Sequence, residues 1–510
     1  MNPSSIKQEI VDAQDLAAAL IAALKLPEGD PSLNSESWVK LAYEAVLDGQ
    51  SCKVLKEVPA FDKVVGRPED QDAPLVLRPT AGGALLYLRH MFELEGGLAK
   101  AIMDLAVERE KSKRWDTALA KSIAAKDGLN KEQGDALFRL AQFKFIILTG
   151  GPGTGKTHTL KSLLRYAVNG GNVAPSQIRL VAPTGRAARR IADGIDTMRL
   201  EPEFKELAKP QTIHSLLYEP ESFDDLELLV VDESSMVDLI LFNQLIDKLP
   251  KTCSVVLVGD PNQLPSVEVG SVLADLCEAP GLAANKVQLS QQHRSKQEIM
   301  ELAESVLSGK GGEVIKLEAP TPEAVVECAL PAFIALRDKA RAGDVEGALD
   351  MVDSVRVLCS HVNGPLGAET LSRAIADKLG IRFSPPGSGS LLMVTRNDRR
   401  GTGLSNGDVG VMVREKVYFR GQPAGFDVSL LPEYTLAFAT TIHKAQGSEY
   451  KHAIVVLGSS QRKDFLNRQL IYTGITRARE QLTLFADRKV FLDASRKEVP
   501  RASGLKDRIG

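Results

Sequence analysis

Residues 143 to 157 read FKFIILTGGPGTGKT, and this stretch decides the fold. The apolar run Phe145 to Leu148 predicts a buried strand. The glycines after it open into a loop that closes on Lys156 and Thr157, and Gly150, Gly155, Lys156 and Thr157 fit GxxxxGK(S/T). Small residues let consecutive backbone N–H groups curl round phosphate oxygens, and the helix that follows offers its positive N-terminal end. Lys156 is spaced to reach the β- and γ-phosphates, and the Thr157 hydroxyl to ligand magnesium. Gly150, Gly151, Pro152, Gly153, Thr154, Gly155, Lys156, Thr157 and His158 are therefore expected to hold ATP, with Mg2+ as its ion.

Outward from the loop, short apolar runs alternate with helical stretches. Leu180 to Ala182, Leu228 to Val231 and Val255 to Val258 complete a set of strands with Phe145 to Leu148. Runs this uniformly apolar predict an α/β fold with a parallel sheet covered on both faces and ligands at its carboxyl end. At that end, Asp232 is expected to hold magnesium through water and Glu233 to orient and deprotonate the attacking water. The turn after Val258 carries Gln263, a candidate sensor of the γ-phosphate. Arg294 in QQHRS and Arg477 in YTGITRARE are candidates for neutralising transition-state charge from across a cleft.

A second alternating region has candidate strands at Val355 to Cys359, Leu391 to Val394, Ala453 to Leu457 and Leu482 to Phe485. Between Asn397 and Glu433 the texture becomes glycine-rich and β-like, with Asn406-Gly-Asp408 as a turn, which predicts a small β insertion. The first 125 residues are mainly helical in pattern, with apolar residues at Leu16, Leu20 and Leu24 and at Trp38, Leu41 and Val46. Two short strands are expected there, Pro74 to Leu77 and Leu85 to Leu88. Three units follow: an accessory unit over 1–125, a first sheet domain over 126–300 and a second over 301–510, with the insertion at about 397–433.

With 510 residues and 44% hydrophobic composition, the chain can bury about three ordinary cores. A net charge of -3 confines any nucleic-acid contact to a local groove, and 5% aromatic residues leave few stacking platforms for bases. The five cysteines are scattered without a CxxC pair, which fits reduced thiols in the cytoplasm. No signal-peptide pattern or membrane-length apolar run is present, and no histidine has HExxH spacing.

Taken in order, GGPGTGKT, APTGRAARR, TIHSLL, VVDESSM, VGDPNQLPSV, QQHRS, ATTIHKAQGSEY and YTGITRARE resemble the motif series of superfamily-one DNA helicases. VDESSMVDL, GDPNQLPSVEVGSVLADLC and MVTRND followed by NGD are most similar to the RecD family, the alpha subunits of exodeoxyribonuclease V. The resemblance implies two RecA-like domains, an SH3-like insertion, and ATP-driven 5′ to 3′ movement on DNA in break repair and DNA degradation. It also implies adenine recognition by Gln133, and a single-strand path along Thr184, Arg186, Thr212, His214, Thr440, Thr441 and His443. Gln446, Gly447 and Glu449 are implied to link that path to nucleotide. The partners implied are single-stranded and tailed double-stranded DNA and RecB- and RecC-like subunits, with no membrane. A freestanding helicase of the same kind, or a regulatory ATP-binding subunit with little motor activity, stays open on the sequence. Lys156→Ala is expected to abolish ATP hydrolysis and unwinding while leaving the circular dichroism spectrum intact; DNA-stimulated hydrolysis in that variant would contradict the assignment.

Overall fold

The computed structural model describes residues 35–56, 64–80, 83–109, 114–291, 296–310, 317–398, 401–422, 424–458, 466–499 and 501–510. The helical pattern at Leu16 to Leu24, together with His293 and Arg294, lies outside them. Phe145–Gly150 sits inside a six-stranded sheet, flanked by Lys286–Leu289 and Ser254–Gly259 and followed outward by Leu228–Val231, Ile178–Ala182 and Gln211–Thr212. Every pairing in it is parallel. The pleat explains why the run is apolar throughout. Ile146 and Leu148 enter one core with Leu137, Leu140, Leu163 and Leu164 of the helices Lys131–Gln142 and Lys156–Asn169. Phe145 and Ile147 enter the opposite core with Phe242 and Leu245.

The second sheet has five strands, ordered Leu317–Glu318, Ala478–Ala486, Tyr450–Leu457, Val355–Cys359 and Ala439–Thr441, again parallel throughout. Leu391–Val394 is not among them. It is wholly buried, as its composition requires, but it pairs antiparallel with Val409–Val413 and Tyr434–Leu436 in a separate five-stranded sheet that includes Lys416–Phe419 and Phe426–Asp427. An apolar run of four residues reports burial on both faces, not the identity of the neighbouring strand, and here the glycine-rich segment folds back on it. The edge of the second sheet beside Val355–Cys359 is instead Ala439–Thr441, three residues too polar to stand out. The small sheet shares a core with one face of the second parallel sheet, where the rings of Phe333 and Phe438 meet edge to face 5.1 Å apart.

Near the start of the chain, both expected strands form and pair antiparallel as Leu75–Thr80 and Gly83–Leu88. Lys53–Leu55 and Val65–Gly66 extend them to a four-stranded sheet, with the helix Ser35–Leu47 against it. The helix Arg89–Leu105 runs on into the first parallel sheet's core through Leu98 and Ile102. The helix Thr117–Lys126 joins the other face through Ala120 and Ile123. The last ten residues return across this junction. Leu505 and Ile509 are buried in the first sheet's core, and Ile509 O accepts from Gly281 N at 3.1 Å.

Glu95 is the polar centre of that junction. It is fully buried and accepts from the Tyr87 hydroxyl at 3.0 Å, the Ser503 hydroxyl at 3.1 Å, Gly504 N at 3.2 Å and the Ser51 hydroxyl, with Arg508 Nε 3.4 Å away. Removing one partner of a buried ion pair leaves the other unpaired, at a cost of about 3 kcal/mol or more. Glu95→Ala is expected to lower unfolding stability in urea by roughly that amount; an unchanged midpoint and slope would contradict the junction's role.

Candidate active site

The phosphate loop closes as its sequence requires. Gly153 and Gly155 take left-handed backbone conformations, φ 78° and 88°, which favour glycine. A Cβ on Gly155 would also lie 2.5 Å from Gln133 Nε2. Gln133 is buried, donates to Thr154 O at 3.4 Å and forms a capping box with Asn130, so the loop is braced from the helix before the strand. Lys156 Nζ donates to Gly150 O at 2.6 Å and Gly151 O at 3.0 Å, which holds the ammonium over the loop. Thr154 Oγ1 donates to Gly151 O at 2.8 Å.

Pro152, Gly153, Gly155, Lys156 and Thr157 form one wall of a cleft completed by Asp232, Glu233, Gln263, Arg190, Glu449 and Arg477. The structure thus brings residues from both parallel sheets to one place. His158 does not line it; its Nε2 lies 3.2 Å from Asp127 O and its side chain is exposed. Burial and the neighbouring Glu233 push the Asp232 carboxyl up to about 6. Asp232 Oδ1 accepts from Glu233 N at 2.8 Å, and Glu233 has a left-handed backbone, φ 50°, rare for a residue with a side chain. Among the described residues no cluster of three or more histidine, cysteine, aspartate or glutamate side chains is arranged to hold a metal. The Thr157 hydroxyl and Asp232 carboxylate in one cleft instead suit Mg2+ held jointly with phosphate oxygens, and a cation there would relieve the charge that burial penalises.

Gln263 sits in a turn whose neighbouring residues are tied to both sheets. Its Nε2 donates to Asp260 Oδ2 at 3.2 Å, and the Tyr472 hydroxyl donates to the same oxygen at 2.9 Å. Next along, Leu264 N donates to Thr473 Oγ1 at 2.9 Å, and Leu264 O accepts from Gln446 Nε2 at 2.9 Å. Leu264 itself is buried in the second sheet's core. Arg477 is buried against the same helix, Arg468–Ile475, donating through Nε to Thr473 O at 3.0 Å and through Nη1 to Ser448 O at 3.1 Å. Burial pulls its guanidinium below the usual range, against the pull of Glu233. Tyr472, Thr473 and Arg190 escape sequence reasoning because each matters only through a partner hundreds of residues away or in the other sheet.

The residues implied for the DNA path divide by position. Thr184 and Thr212 cap helices, accepting from Ala187 N at 3.2 Å and Ser215 N at 3.1 Å, and His214 is exposed beside Thr212. Arg186 reaches the second sheet, donating through Nη2 to the Tyr450 hydroxyl at 3.4 Å. Thr440 and Thr441 are buried in the edge strand. The Thr440 hydroxyl has no hydrogen-bond partner among the described residues, whereas Thr441 accepts from Lys444 N at 3.3 Å. Burial, with Arg501 adding, pushes the His443 imidazole down to about 4, so it is neutral at physiological pH.

Residues 128–321 match a family described as AAA domain, and residues 436–485 one described as UvrD-like helicase C-terminal domain. The RecBCD enzyme subunit RecD of Mycolicibacterium smegmatis is 32% identical over 555 aligned positions, covering 98% of this chain and 98% of its own. The chain belongs to the RecD family. It is therefore a superfamily-one helicase motor with an ATPase core. The RecD subunit of Haemophilus influenzae is 32% identical, covering 71% of this chain and 69% of its own. The ATP-dependent RecD2 DNA helicase of Deinococcus radiodurans is 30% identical, covering 98% of this chain and 69% of its own. A solved Bacteroides Pif1 bound to single-stranded DNA covers 71% of this chain and 93% of its own at 18% identity, with a TM-score of 0.42.

The raised Asp232 carboxyl has a consequence for this RecD-family chain that stability measurements read directly. A carboxyl near 6 in the fold and about 3.9 unfolded destabilises the ionised protein, so stability is lost as pH rises through that window and stays lost above it. Without nucleotide or Mg2+, Asp232→Asn is expected to be more stable than the parent at about pH 7 and to lose that advantage as pH falls to about 4. An advantage of the same size at both pH values would contradict the shift.

Proposed function

We propose that the protein is an ATP-dependent 5′ to 3′ DNA helicase and translocase, the RecD-type motor subunit of a cytoplasmic helicase-nuclease complex. Its partners are RecB- and RecC-like subunits, and its work is double-strand break repair and DNA degradation. The observation that carries this reading is the cleft itself, in which the phosphate loop and acidic pair of one sheet face Arg477 and Glu449 of the other. Such a cleft hydrolyses ATP only when the sheets approach, and a strand gripped by both is then moved. Alignment across 98% of a RecBCD subunit supports the complex; alignment of 98% of this chain with a RecD2 helicase favours a freestanding motor as the second reading. Among the described residues no helix is long and apolar enough to cross a membrane.

In this reading Lys156 and the loop amides bind the β- and γ-phosphates, and Gln133 sits beside the loop for the adenine. Thr157 and Asp232 hold Mg2+, which neutralises phosphate charge when bound. Glu233 takes the proton of the attacking water. Arg477, joined by Arg294, stabilises the equatorial oxygens, and Gln263 relays the state of the γ-phosphate into the Leu264 contacts. Glu449 and Gly447 complete the nucleotide side. Thr184, Arg186, Thr212 and His214 hold the DNA strand from the first sheet, and Thr440, Thr441 and His443 from the second.

Strand displacement on duplexes with either a 5′ or a 3′ tail, with and without RecB- and RecC-like subunits, tests polarity and partnership together. Unwinding from 5′ tails, strengthened by the subunits, is expected. Unwinding from 3′ tails alone would defeat the proposed polarity, and full activity without subunits would favour the freestanding motor.

A further inference from the structure

Arg190 lies on the helix Gly185–Arg199, which follows the strand Ile178–Ala182, and its side chain enters the nucleotide cleft. Its Nη1 is 3.6 Å from Glu233 Oε1 and 3.5 Å from Gly447 O, while its Nη2 pairs closely with Glu449 Oε1. The other oxygen of Glu449 accepts from Arg479 Nε at 2.9 Å. One guanidinium thus spans from the acidic pair of the first sheet to the QGSE turn of the second. Burial acts to raise the Glu449 carboxyl, yet Arg190, Arg479 and Arg477 together hold it at about 2, so the anchor is anionic at every working pH. The turn is held by glycine for its backbone conformation, since an added Cβ would make only ordinary contacts. Gly447 has φ 72°, and a Cβ there would be 3.7 Å from Ala187 Cβ and 4.0 Å from Glu233 Oε1.

We infer that Arg190 is a positioning residue for hydrolysis, holding the Glu233 carboxylate at an angle set by Glu449 and therefore by the approach of the two sheets. Arg190 Nη1 lies against the base at 3.6 Å, so its removal is expected to act on turnover more than on ATP affinity. A planar fork can serve two carboxylates at once, which a lysine ammonium does only as a point charge. The inference rests on Glu233 being the base, as proposed above.

The test compares steady-state DNA-stimulated ATPase in Arg190→Ala, Arg190→Lys, Glu233→Gln, Glu449→Ala and the Arg190→Ala/Glu449→Ala pair, each checked by thermal unfolding. Arg190→Ala is expected to lower kcat on the order of tenfold or more while KM for ATP stays within about threefold, which marks an interaction used in the transition state. Arg190→Lys should recover part of the loss, and the paired variant should be no worse than the poorer single one, since both break one bridge. Should Arg190→Ala fail to fold, Arg190→Lys against the parent supplies the same kcat-to-KM comparison. An unchanged kcat in Arg190→Ala alongside an inactive Glu233→Gln would overturn the inference alone, as would fully additive losses in the pair. An active Glu233→Gln would overturn the base assignment beneath it.

Discussion

Two hydrogen bonds on one residue join the halves of this molecule where it matters. Leu264, next to Gln263 in the turn after the first sheet's strand Ser254–Gly259, donates its N–H to Thr473 and accepts from Gln446, both from the second domain. Each bond is buried, and a buried backbone group left without a partner costs about 1–3 kcal/mol. The turn carrying Gln263 therefore cannot move relative to the phosphate loop without disturbing the second sheet's helix, and the reverse holds equally. Tyr472, on that helix, bonds Asp260 at the root of the same turn. In the proposed mechanism, a change at the γ-phosphate that displaces Gln263 would be passed on as a displacement between the sheets.

This constraint works because both sheets are parallel. In a parallel sheet every strand delivers its polar turn to the same edge, so the loop after Gly150, the acidic pair after Val231 and the turn after Gly259 collect at one rim. The second sheet contributes through the turn before Tyr450–Leu457 and the helix before Ala478–Ala486. Contact between the two halves is not confined to the cleft. Arg189 pairs with the buried Asp408 at 2.7 Å, which fixes the Asn406-Gly-Asp408 turn of the small antiparallel sheet against the helix that also bears Arg190. The small sheet is thus mechanically in line with the cleft.

The parts legible in the sequence are those in which local pattern and chemistry coincide. The phosphate loop declares itself because glycines, lysine and threonine must be adjacent, and Asp232-Glu233 because it ends an apolar strand. Where burial alone was the signal, the strand was found but its sheet was not, as with Leu391–Val394. Ala439–Thr441 was hidden by polarity on a strand only three residues long. Arg190 and Tyr472 could not be read, since an arginine in a helix and a tyrosine in an apolar stretch have ordinary local explanations. Their meaning comes from carboxylates that the fold delivers from elsewhere. The threonines of the implied DNA path are legible in a different sense, because Thr184 and Thr212 hold helix N-termini whatever else they contact.

The central claim is that hydrolysis belongs to both sheets, with the first holding ATP and the second licensing its cleavage. Single-turnover hydrolysis by Arg477→Ala, measured with the affinity for a non-hydrolysable ATP analogue on the same sample, tests it most directly. The account predicts affinity within a few fold of the parent and a cleavage rate lower by about 10³ or more, the usual effect of losing an arginine donor at a transferring phosphoryl group. Cleavage at the parental rate with DNA present would contradict it.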